Sequence, residues 1–464
     1  GGSLHLVPDE GGSTRASGTT CYRWTSNRGP VDFVYRVRGG WNSSSDSHSE
    51  YSLQLNICSC RNSSRTMSAL TKGIFIVAAT RTPFGTYGGK FLKKSAAELQ
   101  EVSVRAALAS GGIKPESVDS VVFGHVLANS SSDGIFMSRH VLLRSGIPIN
   151  RPALTVNRLC GSGFQAVVNG AQNILVGDSS IVVTGGVDNM SQAPHAVRDI
   201  RFGVGLGAPM QLEDTLWVGL TDTYCKMPMA ITAENLAEKY KISRQEVDEF
   251  ALRSQQLWKK ASDAGHFKNE LAPVTVKVKG KEVVVDVDEH PRPQTTLEGL
   301  AKLNPLFKKD GVVTAGVASG ICDGAGTVIL ASEDAVKQHN LTPLARLVAY
   351  SYVGVEPSIM GIGPVPAIQN VLKVAGKTTN DIDLFEINEA FAPQTLACAK
   401  ELKLDMEKLN VNGGAIALGH PLAASGARIT AHLTHELRRR KANFGIGSAC
   451  IGGGQGIALL LETL

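Results

Sequence analysis

Ala153-Leu154-Thr155-Val156-Asn157-Arg158-Leu159-Cys160-Gly161-Ser162-Gly163-Phe164 decides how the rest of the chain is read. A short β-forming run enters a glycine-framed cysteine, and helical spacing takes over from Phe164 to about Val176. Glycine beside a cysteine lets backbone N–H groups and a bulky ligand approach the sulfur, as a reactive thiol requires. Cys160 stands just before a helix, whose positive end is expected to lower the thiol pKa and favour the thiolate. The helix leads to Ser180-Ile181-Val182-Val183-Thr184-Gly185-Gly186, a second strand.

The same order recurs far downstream. Asn410-Val411-Asn412 leads to Ser425-Gly426, a helix over 427–440, and Phe444-Gly445-Ile446-Gly447-Ser448. Strand, glycine turn, helix and strand occurring twice point to one α/β unit doubled, with loops of both halves meeting at a central site. Upstream, Gly73-Ile74-Phe75-Ile76-Val77-Ala78-Ala79 reads as a buried strand, 95–110 as a helix and 118–126 as a strand, so the class is α/β. Between 188 and 311 the rhythm changes. Ser243-x-x-Glu246 is a capping box opening a helix to 264, and 275–287 is a polar hairpin, so this stretch reads as an inserted loop domain.

The chain has 464 residues, 43% hydrophobic and 19% charged, enough for a large core and more than one domain. A net charge of +5 does not imply nucleic acid, although an anionic nucleotide-like substrate would suit it. Arg438-Arg439-Arg440-Lys441 reads as a helix end, where cations complement the carbonyls. No apolar run is long enough to span a membrane. The eight cysteines include no Cys-x-x-Cys pair and no Cys/His cluster with metal spacing, which favours a reducing compartment and no metal. Residues 1–66 hold Cys58 and Cys60, lack lysine and are dense in Ser and Gly. They read as a disordered extension or as sequence foreign to the folded product, with organised pattern beginning at Met67.

The remaining chemistry lies in three more loops. Gly419-His420-Pro421 offers a candidate base for Cys160, and Asn388-Glu389-Ala390-Phe391 offers an amide. Gly447-Ser448-Ala449-Cys450-Ile451-Gly452-Gly453-Gly454 offers a second thiol and backbone N–H groups such as that of Gly452. Any one of these residues alone is more often a core or turn residue. Together they are the parts for acyl transfer through a thioester followed by proton transfer at carbon.

From 73 to 464 these motifs, with Arg81-Thr82-Pro83-Phe84-Gly85 and Asn412-Gly413-Gly414-Ala415-Ile416-Ala417-Leu418-Gly419-His420-Pro421, resemble the thiolases. The likeness looks closest to the mitochondrial, degradative 3-ketoacyl-CoA branch of the family. It implies the thiolase fold, with duplicated α/β halves in αβαβα layers. The halves are 67–187 (completed by 312–338) and 339–464, with 188–311 inserted. It further implies that Cys160 takes the acyl group, His420 activates it, and Cys450 moves a proton at the α-carbon. Asn388 with His420 and a water would form one oxyanion hole, and the N–H groups of Cys160 and Gly452 a second. Arg292, Thr295 and Ser319 occupy positions that contact coenzyme A, which would be a substrate and not a permanently bound cofactor. The implied activity is CoA-dependent cleavage of 3-ketoacyl-CoA in fatty-acid β-oxidation, in the mitochondrial matrix with the cytosol second.

Acetoacetyl-CoA thiolase and a non-catalytic lipid carrier of the same fold are the alternatives. A carrier would have lost a reactive residue. Pro228-Met229 stands where biosynthetic members carry a histidine, and Ala423 and Ala424 stand where close relatives have glycines. Thiolases form dimers or tetramers, so a homo-oligomer is expected. Gly134-Ile135-Phe136-Met137 and Ile359-Met360-Gly361-Ile362 are candidate surfaces for a second copy, or else parts of the core or acyl pocket.

Overall fold

The computed structural model describes residues 68–464; the readings of 1–66, of Cys58 and Cys60 and of a start at Met67 lie outside the described residues. The principal strands in chain order are β1 (Ile74–Arg81), β2 (Ser120–Gly124), β3 (Ala153–Val156), β4 (Ile181–Asn189), β5 (Cys322–Ser332), β6 (Ala345–Gly354), β7 (Leu384–Ile387), β8 (Phe444–Ile451) and β9 (Gln455–Thr463). The helices that matter here are α1 (Ala96–Ser110), α2 (Met137–Arg144), α3 (Ser162–Leu175), α4 (Met229–Tyr240), α5 (Arg244–Asp263), α6 (Pro364–Ala375), α7 (Ala392–Leu402) and α8 (Leu422–Arg440).

The strands run in the order β7-β8-β9-β6-β1-β5-β4-β2-β3. Each half repeats one pattern. In the first, β5 lies antiparallel to β1 and β4, and β4, β2 and β3 are mutually parallel. In the second, β9 lies antiparallel to β6 and β8, and β8 is parallel to β7. The halves join edge to edge where β1 meets β6 at Ala345↔Ile76 and Arg346↔Phe75, and where Ser68–Leu70 pairs antiparallel with β6 at Ser351, Tyr350 and Ala349.

Helices complete the layers. α1 and α2 cover the outer face of the first half, and α6, with α7 behind it, covers that of the second. α3 and α8 lie between the halves and touch strands of both. Being covered on both faces explains why β5 is buried at all but its last residue. The first thirteen residues of α8, Leu422 to Thr434, are buried too. Small residues let this helix sit so deep. A Cβ on Gly426 would lie 2.3 Å from the Phe164 nitrogen, and one on Gly163 would lie 2.4 Å from the Ala423 carbonyl oxygen. Glycine at both positions therefore lets the two helix backbones touch. The run Arg438-Arg439-Arg440 ends α8 as expected, with Arg439 and Arg440 paired to Glu436 at 2.6 and 2.5 Å.

Two local expectations need correction. The stretch 410–412 is no strand; Leu409 makes an isolated parallel bridge to Phe385 and Val411 one to Gly413. Asn410 is left-handed at φ 47°, and its amide does the work of a ladder residue. Its Oδ1 accepts the Ile387 N–H at 2.9 Å and its Nδ2 donates to the Ile387 carbonyl at 2.9 Å. α8 also starts at Leu422, five residues before the expected 427, because Ala423 and Ala424 are helix formers that the motif context disguised as loop.

The 188–311 stretch contains α4, α5 with its Ser243/Glu246 capping box, and the hairpin Val274–Val278/Lys281–Val285. It shares the core with both halves. Val274, Val276 and Val285 pack with the α1 side, while Leu236, Val247 and Phe250 pack with α6 and α7. Arg81, fully buried, binds Glu270 at 2.7 Å and Asp288 at 2.6 Å and so fastens this stretch to β1. Removing either acid would strand a buried guanidinium, a costly defect. No helix among the described residues is long and apolar enough to cross a membrane, and no group of three or more His, Cys, Asp or Glu among them could hold a metal.

Candidate active site

The doubled topology puts two helix starts at one place. Cys160 lies in a short 3-10 turn, Leu159–Gly161, that feeds α3, and His420 lies two residues before α8. Leu422 packs against Cys160 along with Leu127, Met190 and Leu216.

The Cys160 turn is strained and bolted down. Leu159 adopts φ 45°, a left-handed conformation that costs a branched residue on the order of 1–3 kcal/mol. Its N–H donates to Asn157 Oδ1 at 2.9 Å, and its carbonyl accepts Ser162 Oγ at 2.7 Å. Arg158 reaches into the other half, donating to Gln455 Oε1 at 2.7 Å with its guanidinium 4.6 Å from the Tyr352 ring centre. The result presents a half-buried sulfur.

Burial pushes the Cys160 thiol up to about 11, with Asp188 adding to the rise, although the N–H groups of Gly452 and Cys160 both point at the sulfur and oppose it. The expected low thiol pKa is therefore overturned: desolvation outweighs the helix start. A protonated thiol needs a base. Burial, then the nearby Arg428 cation, push His420 down to about 3, so its imidazole is neutral and able to accept. Its Nδ1 lies 2.5 Å from Ser425 Oγ, and its backbone N–H donates to the Gly320 carbonyl at 2.9 Å. Asn388 Nδ2 lies 3.4 Å from each ring nitrogen. The Asn388 Oδ1 is buried without a partner, which suits a group that meets substrate or solvent during turnover.

Cys450 is almost fully buried against Met360, Ala390, Met229 and Phe391. Burial raises its thiol well above the ordinary value, and the Cys160 sulfur raises it further, so the two sulfurs feel each other. Gly452 sits beside Leu159 and Met229, with ideal-Cβ contacts of 3.2 and 3.3 Å. Thus Met229 forms part of the wall over the Cys450 loop.

Two buried carboxylates brace this arrangement, and no sequence motif assigns a role to either. Asp188 accepts the N–H groups of Val126 and Leu127 at 3.0 and 2.9 Å and that of Ala423, in the first turn of α8, at 2.8 Å. Glu389 accepts Ser254 Oγ at 2.7 Å, Asn410 Nδ2 at 2.9 Å and the Ile416 N–H at 3.1 Å, holding the loop that leads to His420. Glu389 stands inside a quoted motif and Asp188 near the end of β4; only three-dimensional contacts reveal what each binds. Ser425, five residues after His420, carried a signal that was readable, since a helix start can return a side chain to the residue before it.

The three coenzyme-facing candidates lie on two adjoining loops. The exposed Arg292 guanidinium makes no hydrogen bond or ion pair among the described residues, while its backbone N–H is held by Gln255 Oε1 at 2.8 Å. Thr295 Oγ1 donates to the Arg292 carbonyl at 2.7 Å. His290 Nδ1 donates to the Ala417 carbonyl at 2.8 Å, and the ring packs on Gly320, next to Ser319. The five cysteines among the described residues are all free thiols.

Two family models match nearly the whole described chain: "Thiolase, N-terminal domain" over residues 74–334 and "Thiolase, C-terminal domain" over 341–463. The 3-ketoacyl-CoA thiolase, mitochondrial, of Bos taurus is 62% identical over 395 residues, covering 85% of this chain and 99% of that protein. The crystal structure of human mitochondrial 3-ketoacyl-CoA thiolase superposes with a TM-score of 0.84 at 61% identity, covering 85% of this chain and 100% of that one. The same human protein in complex with CoA gives a TM-score of 0.83, covering 86% of this chain and 100% of that one. The chain belongs to the thiolase family of acyltransferases.

Proposed function

We propose that this enzyme cleaves 3-ketoacyl-CoA with coenzyme A, giving acetyl-CoA and a shortened acyl-CoA, in mitochondrial fatty-acid β-oxidation. The observation that carries the mechanism is the convergence of the Gly452 and Cys160 N–H groups on a protonated Cys160 sulfur, next to the α8 start that bears a neutral imidazole. His420 takes the Cys160 proton as the sulfur attacks the 3-keto carbon. The N–H groups of Cys160 and Gly452 donate to the oxyanion formed there. The bond between carbons 2 and 3 breaks, the acyl group stays on Cys160, and the acetyl-CoA enolate takes a proton from Cys450. Asn388 and His420 donate to the enolate oxygen. Incoming CoA gives its thiol proton to the Cys450 thiolate and attacks the thioester, and the departing Cys160 sulfur recovers its proton from His420. Thioester exchange is nearly isoenergetic, so the sequence also runs toward condensation.

In this reading CoA is a substrate, with the unpaired Arg292 guanidinium meeting a phosphate and Thr295 and Ser319 meeting its nucleotide end and pantetheine arm. The division into 67–187 with 312–338, an inserted 188–311 and 339–464 belongs to the same proposal. Thiolysis rates across a series of 3-ketoacyl-CoA chain lengths test it: activity confined to the four-carbon substrate favours the acetoacetyl-CoA alternative, and none at all favours the carrier.

The enzyme works as a homo-oligomer, most simply a tetramer of two dimers. Supporting this, β3 is an edge strand with Leu154 half exposed, and Ile135, Phe136, Phe202, Leu206 and Met210 are each more than half exposed. Of the two stretches expected to face a second copy, only 134–137 shows exposed apolar groups; Met360 lies in the wall around Cys450. A fully active species of monomer mass in sedimentation equilibrium overturns the assembly.

A further inference from the structure

We propose that Ser425 is a positioning residue that holds His420 with its proton on Nδ1, leaving Nε2 bare to accept the proton of Cys160. The inference rests on the reading of His420 as the base. A neutral imidazole carries one proton and two nitrogens, and only the bare nitrogen can act as a base. Which nitrogen is bare is set by the partner of the other. Nδ1 faces Ser425 Oγ at 2.5 Å, and this is the shortest polar contact the ring makes. A hydroxyl oxygen can accept Nδ1–H both when the ring is neutral and after Nε2 has taken a proton, so one contact serves the whole cycle.

The position of Ser425 is unusually well determined. It is fully buried in the first turn of α8. That turn is fixed from one side by Asp188 on the Ala423 N–H at 2.8 Å. From the other side, Gly426 meets the backbone of Gly163 and Phe164 with no room for a methyl group. The imidazole is tethered through its own backbone to Gly320 and through its preceding loop to Glu389. The serine can move only slightly relative to the ring, so its oxygen can select between two tautomers that differ little in energy.

Ser425 touches neither sulfur in this geometry; its effect passes through the ring. Replacing it with alanine leaves the ring buried and removes the acceptor for Nδ1–H. The ring then favours the Nε2–H form, with Nε2 turned from acceptor to donor and unable to take the thiol proton.

The test uses the full-length enzyme labelled with 15N at histidine, with long-range 1H–15N correlations assigned by loss of the His420 signals in His420→Gln. Wild type should show a protonated Nδ1 and a bare Nε2, and Ser425→Ala should shift His420 toward Nε2–H. In steady state Ser425→Ala should lower kcat for thiolysis by about 10- to 100-fold, up to the lower edge of the ~10²–10⁴-fold that a general base contributes, with the KM for CoA within about twofold. Ser425→Thr, which keeps the hydroxyl, should recover the wild-type tautomer and most of kcat. A wild-type ring already protonated at Nε2 overturns the proposal without any variant. So does a Ser425→Ala enzyme with unchanged kcat. If His420→Gln itself retains full activity, the base assignment fails instead, whatever Ser425 does.

Discussion

The Cys160 turn and the His420 loop occupy matching places in the two halves, each leading into one of the two central helices, yet they are built in opposite ways. The Cys160 turn is half open, held by a strained Leu159 and by the Arg158 clamp onto Gln455 and Tyr352. The His420 loop is buried and satisfied on every side, by Ser425, Gly320, Asp188 through Ala423, and Glu389 through Ile416. Duplication supplied two matching helix starts, and in the proposed scheme burial divides their work between a nucleophile and a base. A nucleophile must be reached by substrate and carry an acyl group away from the backbone. A base must stay neutral and keep its aim, which burial and fixed partners provide.

The comparison breaks most sharply at the nucleophile. Cys160→Ala should lower kcat by about 10³-fold or more, since in the proposed scheme its sulfur is the acyl carrier and the N–H groups of Gly452 and Cys160 lie at that site. Mass spectrometry after mixing with acetyl-CoA should find the acetyl label on the wild-type peptide containing Cys160 and nowhere in the variant. Label confined to another peptide removes Cys160 from its place in the scheme.

Cys450→Ala comes next, with an expected loss of about 10²- to 10⁴-fold in thiolysis, because it takes away proton transfer at carbon but not the acyl carrier. The variant should still acquire acetyl at Cys160. Undiminished thiolysis makes Cys450 a packing residue of its Met360, Ala390 and Phe391 pocket.

The meeting of the two helices is tested by Gly426→Ala. The added methyl would lie 2.3 Å from the Phe164 nitrogen and 2.9 Å from the Gly163 carbonyl carbon. Overpacking of this kind costs about 1–3 kcal/mol. Calorimetry should show a lower Tm, and kcat should fall with it as the two helix starts separate. An unchanged Tm means the crossing is looser than the contacts require.

Much of this comparison was legible in the sequence. The strand–glycine–helix order around Cys160 and again before α8 revealed the duplication, and glycine framing singled out Cys160, His420, Cys450 and Gly452. What misled was always a side chain or an environment standing in for a backbone signal. Asn410 reads like a strand residue because its amide completes the ladder beside Ile387 that the backbone abandons. The Cys160 thiol reads as acidic because a helix start is visible in sequence while desolvation is not. Glu389 and Asp188 gave no sign of their roles, since their partners lie far away in the chain or on backbone N–H groups, which have no sequence identity.

Asp188 gives the finest test, because it touches both regions at once. It caps the first turn of α8 through Ala423, and its charge is one of the forces that raise the Cys160 thiol. Alkylation by iodoacetamide reports the thiolate, so with the thiol raised to about 11 the wild-type rate at Cys160 should keep climbing well past pH 9. A thiol acidified by the helix start would level off near neutrality instead. Asp188→Asn removes a negative charge near the sulfur while keeping an oxygen for the Ala423 N–H. Loss of that charge favours the thiolate, so the profile should move to lower pH, by about half a pH unit for one partly screened charge. Burial still dominates, so the shift cannot bring the thiol near neutrality. A profile displaced to higher pH would mean that Asp188 acts on Cys160 mainly by ordering the α8 start and the 126–127 loop. The open turn would then depend on the closed one for its geometry and not for its charge.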